Sequence, residues 1–182
     1  MALAAGLLAA ACGPAPPFAA TPPPPGAMTW RTLRAEHTTV VTARLPDGRT
    51  ERRRVRGLLA VARPDRLRLR ALGPGDVTLF DLLDRDGTCV VVNGPGGASP
   101  PPESIMARVL TALCHDLRVA YRLGPAPAGA RRVSYGDWRP VGASREPFRI
   151  LIEDAAAGFT ADITVTRLTL DDAVPPELFA LP

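Results

Sequence analysis

The stretch LRAEHTTVVTARLPDGRTERRRVRGLLAVA, residues 33–62, decides the fold, because its apolar and polar residues alternate with the two-residue period of a half-buried strand. Asp47-Gly48 interrupts the pattern and suits a tight turn, since Gly adopts positive φ angles readily. The residues predicted to face inward are Leu33, Ala35, Thr39, Val41, Ala43, Leu45, Val55, Gly57, Leu59 and Val61. Arg52, Arg54 and Arg56 alternate with them on the other face. We expect a long antiparallel hairpin with one face on the core.

The same pattern continues downstream. Residues 66–71 predict a third strand, residues 77–83 a fourth and residues 88–92 a fifth, each reached through a short Gly, Pro or Asp turn. The fourth carries apolar residues on both faces and must be covered on both sides. Parallel pairing would require crossover connections that the short turns do not provide, so the five strands form an antiparallel meander.

Over residues 103–119 the spacing of the apolar residues changes from every second residue to about every fourth. Ile105, Val109, Leu113 and Leu117 recur every four residues, as on one face of an amphipathic helix. Strands are expected again over 131–135, 138–141, 147–153 and 159–170, with a bulge near Thr166 and Arg167 that corrects the phase of the last strand. Residues 174–181 form an apolar tail, expected to dock on the edge of the sheet. This order predicts a curved antiparallel sheet with a helix over its concave face.

The first twelve residues have the form of a bacterial lipoprotein signal, with an apolar run, three alanines and Cys12. We expect a signal peptide over 1–11, acylation of Cys12, an extended Pro-rich tether over 12–27 and one domain over 28–182. No basic residue precedes Arg31, and an Ala-rich terminus with an incidental cysteine is the alternative. Gly13 stands where the inner-membrane retention signal of enteric bacteria has Asp, so by analogy the predicted location is the periplasmic face of the outer membrane.

Charge and cysteine content limit the partners. The formal net charge is +4, and every basic residue is Arg. An exported basic chain with few aromatic residues favours anionic lipid headgroups over nucleic acid, which we do not expect as a partner. Cys89 and Cys114 remain after Cys12, and they form either a disulfide or two buried small apolar residues.

Catalytic motifs are missing from the sequence. His37 lies within a predicted strand and His115 on the predicted helix, and neither has neighbours at metal-ligand spacing. The loop Gly94–Gly97 lacks the Gly-Lys ending of a phosphate loop, and no Gly-x-Ser-x-Gly elbow occurs. We therefore expect no enzymatic reaction, no metal and no cofactor. Arg52, Arg53 and Arg54 suit either a partner-facing patch or a solvated strand face.

Several short strings, in this order, resemble the lipoprotein-sorting carriers and receptors of the bacterial envelope, the Lol type. They are GLLAVARPDRLRL (57–69), LGPGD (72–76) with TLFDL (78–82), YGDW (135–138), Gly142 with Pro147-Phe148, and 174–179. The resemblance implies a mainly β (α+β) fold, an incomplete, half-open antiparallel β-barrel with an amphipathic helix as lid, whose cavity receives acyl chains of lipoproteins. Two features depart from it. No leucine occupies the turn 73–76, where the anchored receptor has one, and prolines fill the place of the usual N-terminal helix.

We therefore expect an outer-membrane lipoprotein that binds acyl chains of lipoproteins or lipids, with a periplasmic carrier or assembly protein as a further partner. The side chains expected to contact the ligand are Leu59, Val61, Leu67, Leu69, Leu79, Val109, Leu113, Leu117, Phe148, Ile150, Ile163 and Val165. The same residues would also suit a packed core without a cavity. The alternative function is a structural or assembly lipoprotein that holds a protein partner through the Arg-rich strand face.

Overall fold

A computed structural model describes residues 18–45, 47–93, 105–123 and 131–180. The expected signal peptide, Cys12 and the loop 94–97 lie outside these residues. The strands are β1 (Thr32–Arg44), β2 (Thr50–Ala62), β3 (Arg66–Leu72), β4 (Thr78–Arg85), β5 (Thr88–Asn93), β6 (Arg131–Val141), β7 (Ser144–Asp154) and β8 (Phe159–Leu170). The helix is α1 (Ile105–Ala120), and short 3₁₀ turns cover Pro74–Asp76 and Pro176–Phe179. No described helix has the length and apolar character that crossing a membrane requires.

All the strands belong to one antiparallel sheet of order β5-β4-β3-β2-β1-β8-β7-β6. The first meander is joined to the second because β1 pairs with β2 on one side and with β8 on the other. β5 and β6 are the two edges, and α1 contacts β4 and β5 near one edge and β6 and β7 near the other. The helix therefore spans the gap of a half-open barrel, and the predicted fold class is confirmed.

Local details follow the sequence with one correction. Thr166 has no register partner where β8 passes between Glu36 and His37 of β1, so the expected bulge is present. The two strands expected over 131–135 and 138–141 are one continuous strand, β6. Asp137, the residue at which the apolar pattern breaks, adopts a φ of 54° without ending the pairing with β7.

The sequence predicts that the C-terminal tail docks on the edge of the sheet, whereas the tail packs on its outer face. Phe179 is buried against Ala60 of β2 and Leu83 of β4, and Arg68 donates a hydrogen bond of 2.7 Å to the carbonyl oxygen of Leu178. The reason is that β4 is apolar on both faces, so Leu83 needs cover on the side away from α1.

The second half of the expected tether is docked on the sheet. The backbone N–H of Thr21 donates to the carbonyl oxygen of Tyr135 at 2.8 Å, and Trp138 Nε1 donates to the carbonyl oxygen of Thr21 at 3.3 Å. Ala27 forms a parallel bridge with Arg145. Residues 18–27 are therefore part of the folded body, because backbone groups of β6 that would otherwise face solvent bind them.

Candidate ligand site between the sheet and the helix

The side chains predicted to contact a ligand lie in one apolar cluster between the concave face of the sheet and α1. Those that are buried are Leu59, Val61, Leu67, Leu69, Leu113, Leu117, Phe148, Ile150, Ile163 and Val165. Leu79 and Val109 are half-buried and pack against the cluster. The structure thus brings the predicted set together, and whether it binds a ligand stays a prediction.

The cluster is almost completely filled. A cavity of about 10 Å³ remains beneath the helix, bordered by Leu113 and Leu117 of α1, by Phe80 of β4 and by His37 and Val41 of β1. Small-molecule pockets have volumes of roughly 300–1,000 Å³, and a cavity this small holds about one water molecule. Among the described residues, the space beneath α1 therefore leaves no room for an acyl chain in this arrangement of side chains.

His37 is the functional candidate that sequence reasoning missed. Its ring is 2% exposed, and Nδ1 lies 2.9 Å from Thr39 Oγ1. Nε2 has no hydrogen-bond partner among the described residues. Burial lowers the pKa of His37 to about 4, so the ring is neutral near pH 7. The strand period contains the signal, because His37 falls between the inward-facing Ala35 and Thr39.

Gly57 lies directly across from His37 in the β1–β2 pair. A Cβ at this position would lie 2.3 Å from His37 Cε1, which no real contact permits. The imidazole ring therefore lies beside the backbone of β2, in space that only glycine leaves open.

One side of α1 is bound covalently to the sheet. Cys89 of β5 and Cys114 of α1 form a disulfide with their Cα atoms 6.1 Å apart, which decides between the two alternatives left open by the sequence. On the same side Arg118 of α1 forms an ion pair with the fully buried Asp84 of β4. Burial raises the pKa of Asp84, and the hydrogen bond and charge of Arg118 oppose that shift.

The opposite side of α1 is held by weaker contacts. The hydroxyl of Tyr135 in β6 donates a hydrogen bond of 2.8 Å to the carbonyl oxygen of Ala120, the last residue of the helix. Arg63 donates to the carbonyl oxygen of Tyr121 at 3.3 Å. Neither of these contacts is covalent, in contrast to the disulfide on the first side of the helix.

The barrel is closed at the end where β1 begins. Glu146 of β7 is fully buried and accepts hydrogen bonds from Trp30 Nε1 at 2.9 Å and from the backbone N–H of Met28 at 3.2 Å. The guanidinium of Arg63 lies 4.2 Å above the ring of Trp30. Burial raises the pKa of Glu146, and these donors and the charge of Arg63 oppose that shift. We call Met28, Trp30, Arg63, Tyr121 and Glu146 the end cluster.

The opposite end, where β1 finishes, is more open. The inward-facing Val41, Ala43 and Val55 are only half-buried there, although each packs against the core. Val77, directly after the turn between β3 and β4, is 63% exposed. We call this end of the barrel, with its half-buried apolar side chains, the rim.

The Arg-rich face lies on the outside of the sheet. Arg52 and Arg54 are exposed and oppose Thr42 and Val40 of β1, and the described part of the chain offers them no ion pair. Arg53 differs, because it lies between Arg52 and Arg54 in the strand and therefore on the opposite face of β2, toward the rim. There it forms an ion pair with Glu51. Among the described residues no group of His, Cys, Asp and Glu could hold a metal ion.

Comparisons with known proteins give structural relatives only. No protein-family model and no curated protein sequence matches the chain. A LolA superfamily protein from Nitrosomonas europaea superposes with a TM-score of 0.52 at 10% identity, over 85% of this chain and 92% of that one. A DUF1329 family protein from Desulfovibrio piger covers 84% of this chain and 90% of its own, with a TM-score of 0.46 at 10% identity. A putative outer membrane lipoprotein-sorting protein domain from Vibrio parahaemolyticus superposes over 84% of this chain and 91% of its own, with a TM-score of 0.45 at 8% identity. The first of these supports the Lol-type resemblance at the level of the fold.

Proposed function

We propose, on the premise that this chain shares the fold of a LolA superfamily protein, that it is an envelope lipoprotein whose half-open barrel binds acyl chains. Its role would be in lipoprotein localisation or another step of envelope lipid handling. The observation that carries the proposal is the apolar concave face of the sheet, covered in the described part of the chain by one helix, α1, which a disulfide binds to β5.

Ligand entry would require α1 or core side chains to move, because the cavity beneath α1 has a volume of only about 10 Å³. We infer that α1 swings about Cys89–Cys114 and separates from β6 and β7, where a hydrogen bond from Tyr135 holds its end. The acyl chain would then contact the predicted set from Leu59 to Val165 and take the place of α1 side chains such as Leu113.

The proposed anchor is the acylated Cys12 at the periplasmic face of the outer membrane. Phe18 is docked on the sheet, with Arg149 positioned over its ring. The six-residue step from Cys12 to Phe18 spans at most about 20 Å when fully extended. The body would therefore lie close to the lipid surface and not at the end of a long tether.

The test is direct binding. The chain carrying Cys12→Ala, which cannot be acylated at that position, is titrated with the methyl ester of cis-parinaric acid, whose fluorescence rises in an apolar site. We expect saturable binding that methyl palmitate competes away. Binding that is absent, or that heat-unfolded protein shows equally, would reject the proposal.

A matched pair of adjacent leucines controls for surface adsorption. Leu58 is 41% exposed on the outer face, whereas Leu59 is 3% exposed in the apolar cluster. Leu58→Ala should leave binding of the probe unchanged. Leu59→Ala should change it, because it alters the proposed site. Equal effects of the two substitutions would place the probe on the surface.

A second function uses the Arg-rich outer face. The observation in its favour is that Arg52 and Arg54 are exposed on that face without an ion pair in the described part of the chain. An acidic protein partner bound there should copurify at fixed stoichiometry and be lost on Arg52→Glu with Arg54→Glu. Copurification that survives both changes would reject this role of the face.

A further inference from the structure

Within the apolar cluster, Nε2 of His37 has no hydrogen-bond partner in the part of the chain that the structure describes. The residue is 2% exposed and borders the cavity beneath α1. Buried polar groups in folded proteins nearly always have hydrogen-bond partners, so an exception requires an explanation. The explanation developed below rests on the proposed function and deepens it by naming the chemical group that the site recognises.

The contact with Thr39 indicates which nitrogen carries the proton. Nδ1 of His37 and Oγ1 of Thr39 lie 2.9 Å apart. If the hydroxyl donates to Nδ1, the proton of the neutral ring is on Nε2, and one donor is left without a partner. The reverse arrangement would leave both the Nε2 lone pair and the hydroxyl hydrogen without partners. The first arrangement costs less, so His37 presents an N–H donor.

The surroundings of this donor exclude an anionic ligand group. Thr39 is the cavity's other polar side chain, and the remaining lining side chains are apolar, among them Val41, Val55 and Leu113. A carboxylate there would be desolvated without a counter-charge, which is strongly unfavourable. A neutral carbonyl oxygen avoids this cost and accepts a hydrogen bond from Nε2–H.

The cavity also indicates where the rest of the ligand would lie. Its lining continues from His37 past Thr39 to Val41 and Val55, in the direction of the rim. Val41 and Val55 are apolar and half-buried at the rim, which suits the hydrocarbon part of an acyl group. One hydrogen-bond donor within an apolar groove is the usual composition of a site for such a molecule.

We propose that His37 is the recognition residue of the acyl site, where its Nε2–H donates a hydrogen bond to the neutral carbonyl oxygen of a fatty-acyl group. Thr39 fixes the ring proton on Nε2, and Gly57 provides the space in which the ring lies along β2. Among the described residues this donor has no partner. The carbonyl oxygen of the ligand would provide one.

The test compares ligands with and without a carbonyl. The chain carrying Cys12→Ala is loaded with the carbonyl-free fluorophore diphenylhexatriene, which is then displaced by methyl palmitate or by heptadecane. His37→Phe should weaken methyl palmitate about fivefold, or about 1 kcal/mol, and leave heptadecane unchanged. His37→Gln keeps an N–H donor and should recover part of the loss. His115→Gln is the matched control and should alter neither affinity.

A spectroscopic readout separates recognition from packing. The carbonyl stretch of [1-¹³C]methyl palmitate should shift to lower frequency when bound, and His37→Phe should abolish the shift. Dipalmitoylglycerol and palmitic acid are compared in the same way at pH 7. The neutral ester should bind more tightly and show the shifted band, whereas tighter binding of the ionised acid with a shifted band would contradict a site for a neutral carbonyl.

Two failures remain distinguishable. In the first case, each of methyl palmitate and heptadecane binds the unsubstituted chain and His37→Phe with the same affinity, and the carbonyl band is the same in both chains. The barrel then still binds acyl chains, but His37 is not the recognition residue. If neither the fluorophore nor any ligand binds the unsubstituted chain, the proposed function itself fails.

Discussion

At the scale of single residues, His37 combines a cost in stability with a proposed use. An unmet buried donor costs about 1–3 kcal/mol, and the apolar lining of the cavity offers the ring no counter-charge. Gly57 shows how closely the backbone is fitted to this ring, since any Cβ there would overlap it. A position that lowers stability and yet is fitted this closely is typical of a functional residue.

His37 should make stability fall in mildly acidic solution. Its pKa is about 4 in the folded chain and about 6.5 when unfolded, so the unfolded state binds the proton more readily between these values. The free energy of unfolding should therefore decrease as pH falls from about 6.5 to 4, by about 3 kcal/mol from this residue. Urea denaturation at pH 7 and pH 4 measures it.

His37→Phe is the reference for that measurement. It removes the titrating group, so the difference between the two chains isolates His37 from Asp84 and Glu146, whose raised pKa values act in the opposite direction. His37→Phe should also be more stable than the unsubstituted chain at pH 7. Parallel pH profiles for the two chains would contradict the burial of a neutral His37.

At the scale of elements, the attachment of α1 is asymmetric. The disulfide Cys89–Cys114 closes a loop with a sequence separation of 25 residues. On the other side Tyr135 and Arg63 donate hydrogen bonds to the carbonyl oxygens at the end of the helix. Changing both cysteines to Ser should lower the free energy of unfolding by about 3–4 kcal/mol, mainly because the unfolded chain gains freedom. Denaturation of the double variant beside the oxidised chain checks this. A difference below about 1 kcal/mol would indicate that the disulfide does not constrain the helix.

Tyr135→Phe tests the opposite side of the same helix. The substitution removes the hydrogen bond to the carbonyl oxygen of Ala120 and keeps the ring that packs beside Trp138. We expect a loss of about 1 kcal/mol in stability and faster uptake of an acyl probe in stopped-flow mixing, because opening breaks one contact fewer. Tyr121 is fully buried in the end cluster, so Tyr121→Phe serves as the tyrosine control and should not accelerate uptake. Equal uptake rates for Tyr135→Phe and the unsubstituted chain would place the opening elsewhere.

At the scale of the whole molecule, the sequence predicted what depends on local patterns. The alternation in β1, β2 and β3, the helix period and the phase break at Thr166 are visible within single segments, and each was placed correctly. The Cys89–Cys114 pairing depends on how far the sheet curls toward α1, which no single segment determines. The volume of the cavity depends on how the cluster packs, and the docking of Thr21 uses backbone groups that leave no trace in side-chain patterns.

That docking determines how the body would be held at a membrane by the proposed anchor at Cys12. If residues 18–27 were a free tether, their amides would exchange with solvent at the rates of an unfolded peptide. The Thr21 N–H instead donates to Tyr135, and Ala27 pairs with Arg145, so the anchor at Cys12 would meet a rigid body. Hydrogen exchange followed by mass spectrometry should show that the amide hydrogen of Thr21 is protected. Pro22–Pro25 have no amide hydrogen, so they add nothing to the exchange measured for a peptide that contains Thr21 and these prolines. Gly48 lies in the exposed turn between β1 and β2, and its N–H donates to the carbonyl oxygen of Leu45 within the same turn. The amide hydrogen of Gly48 should therefore exchange much faster than that of Thr21. Exchange at Thr21 as fast as at Gly48 would mean that the segment leaves the sheet in solution, and the reach of the body from the lipid would then grow by the length of residues 18–27.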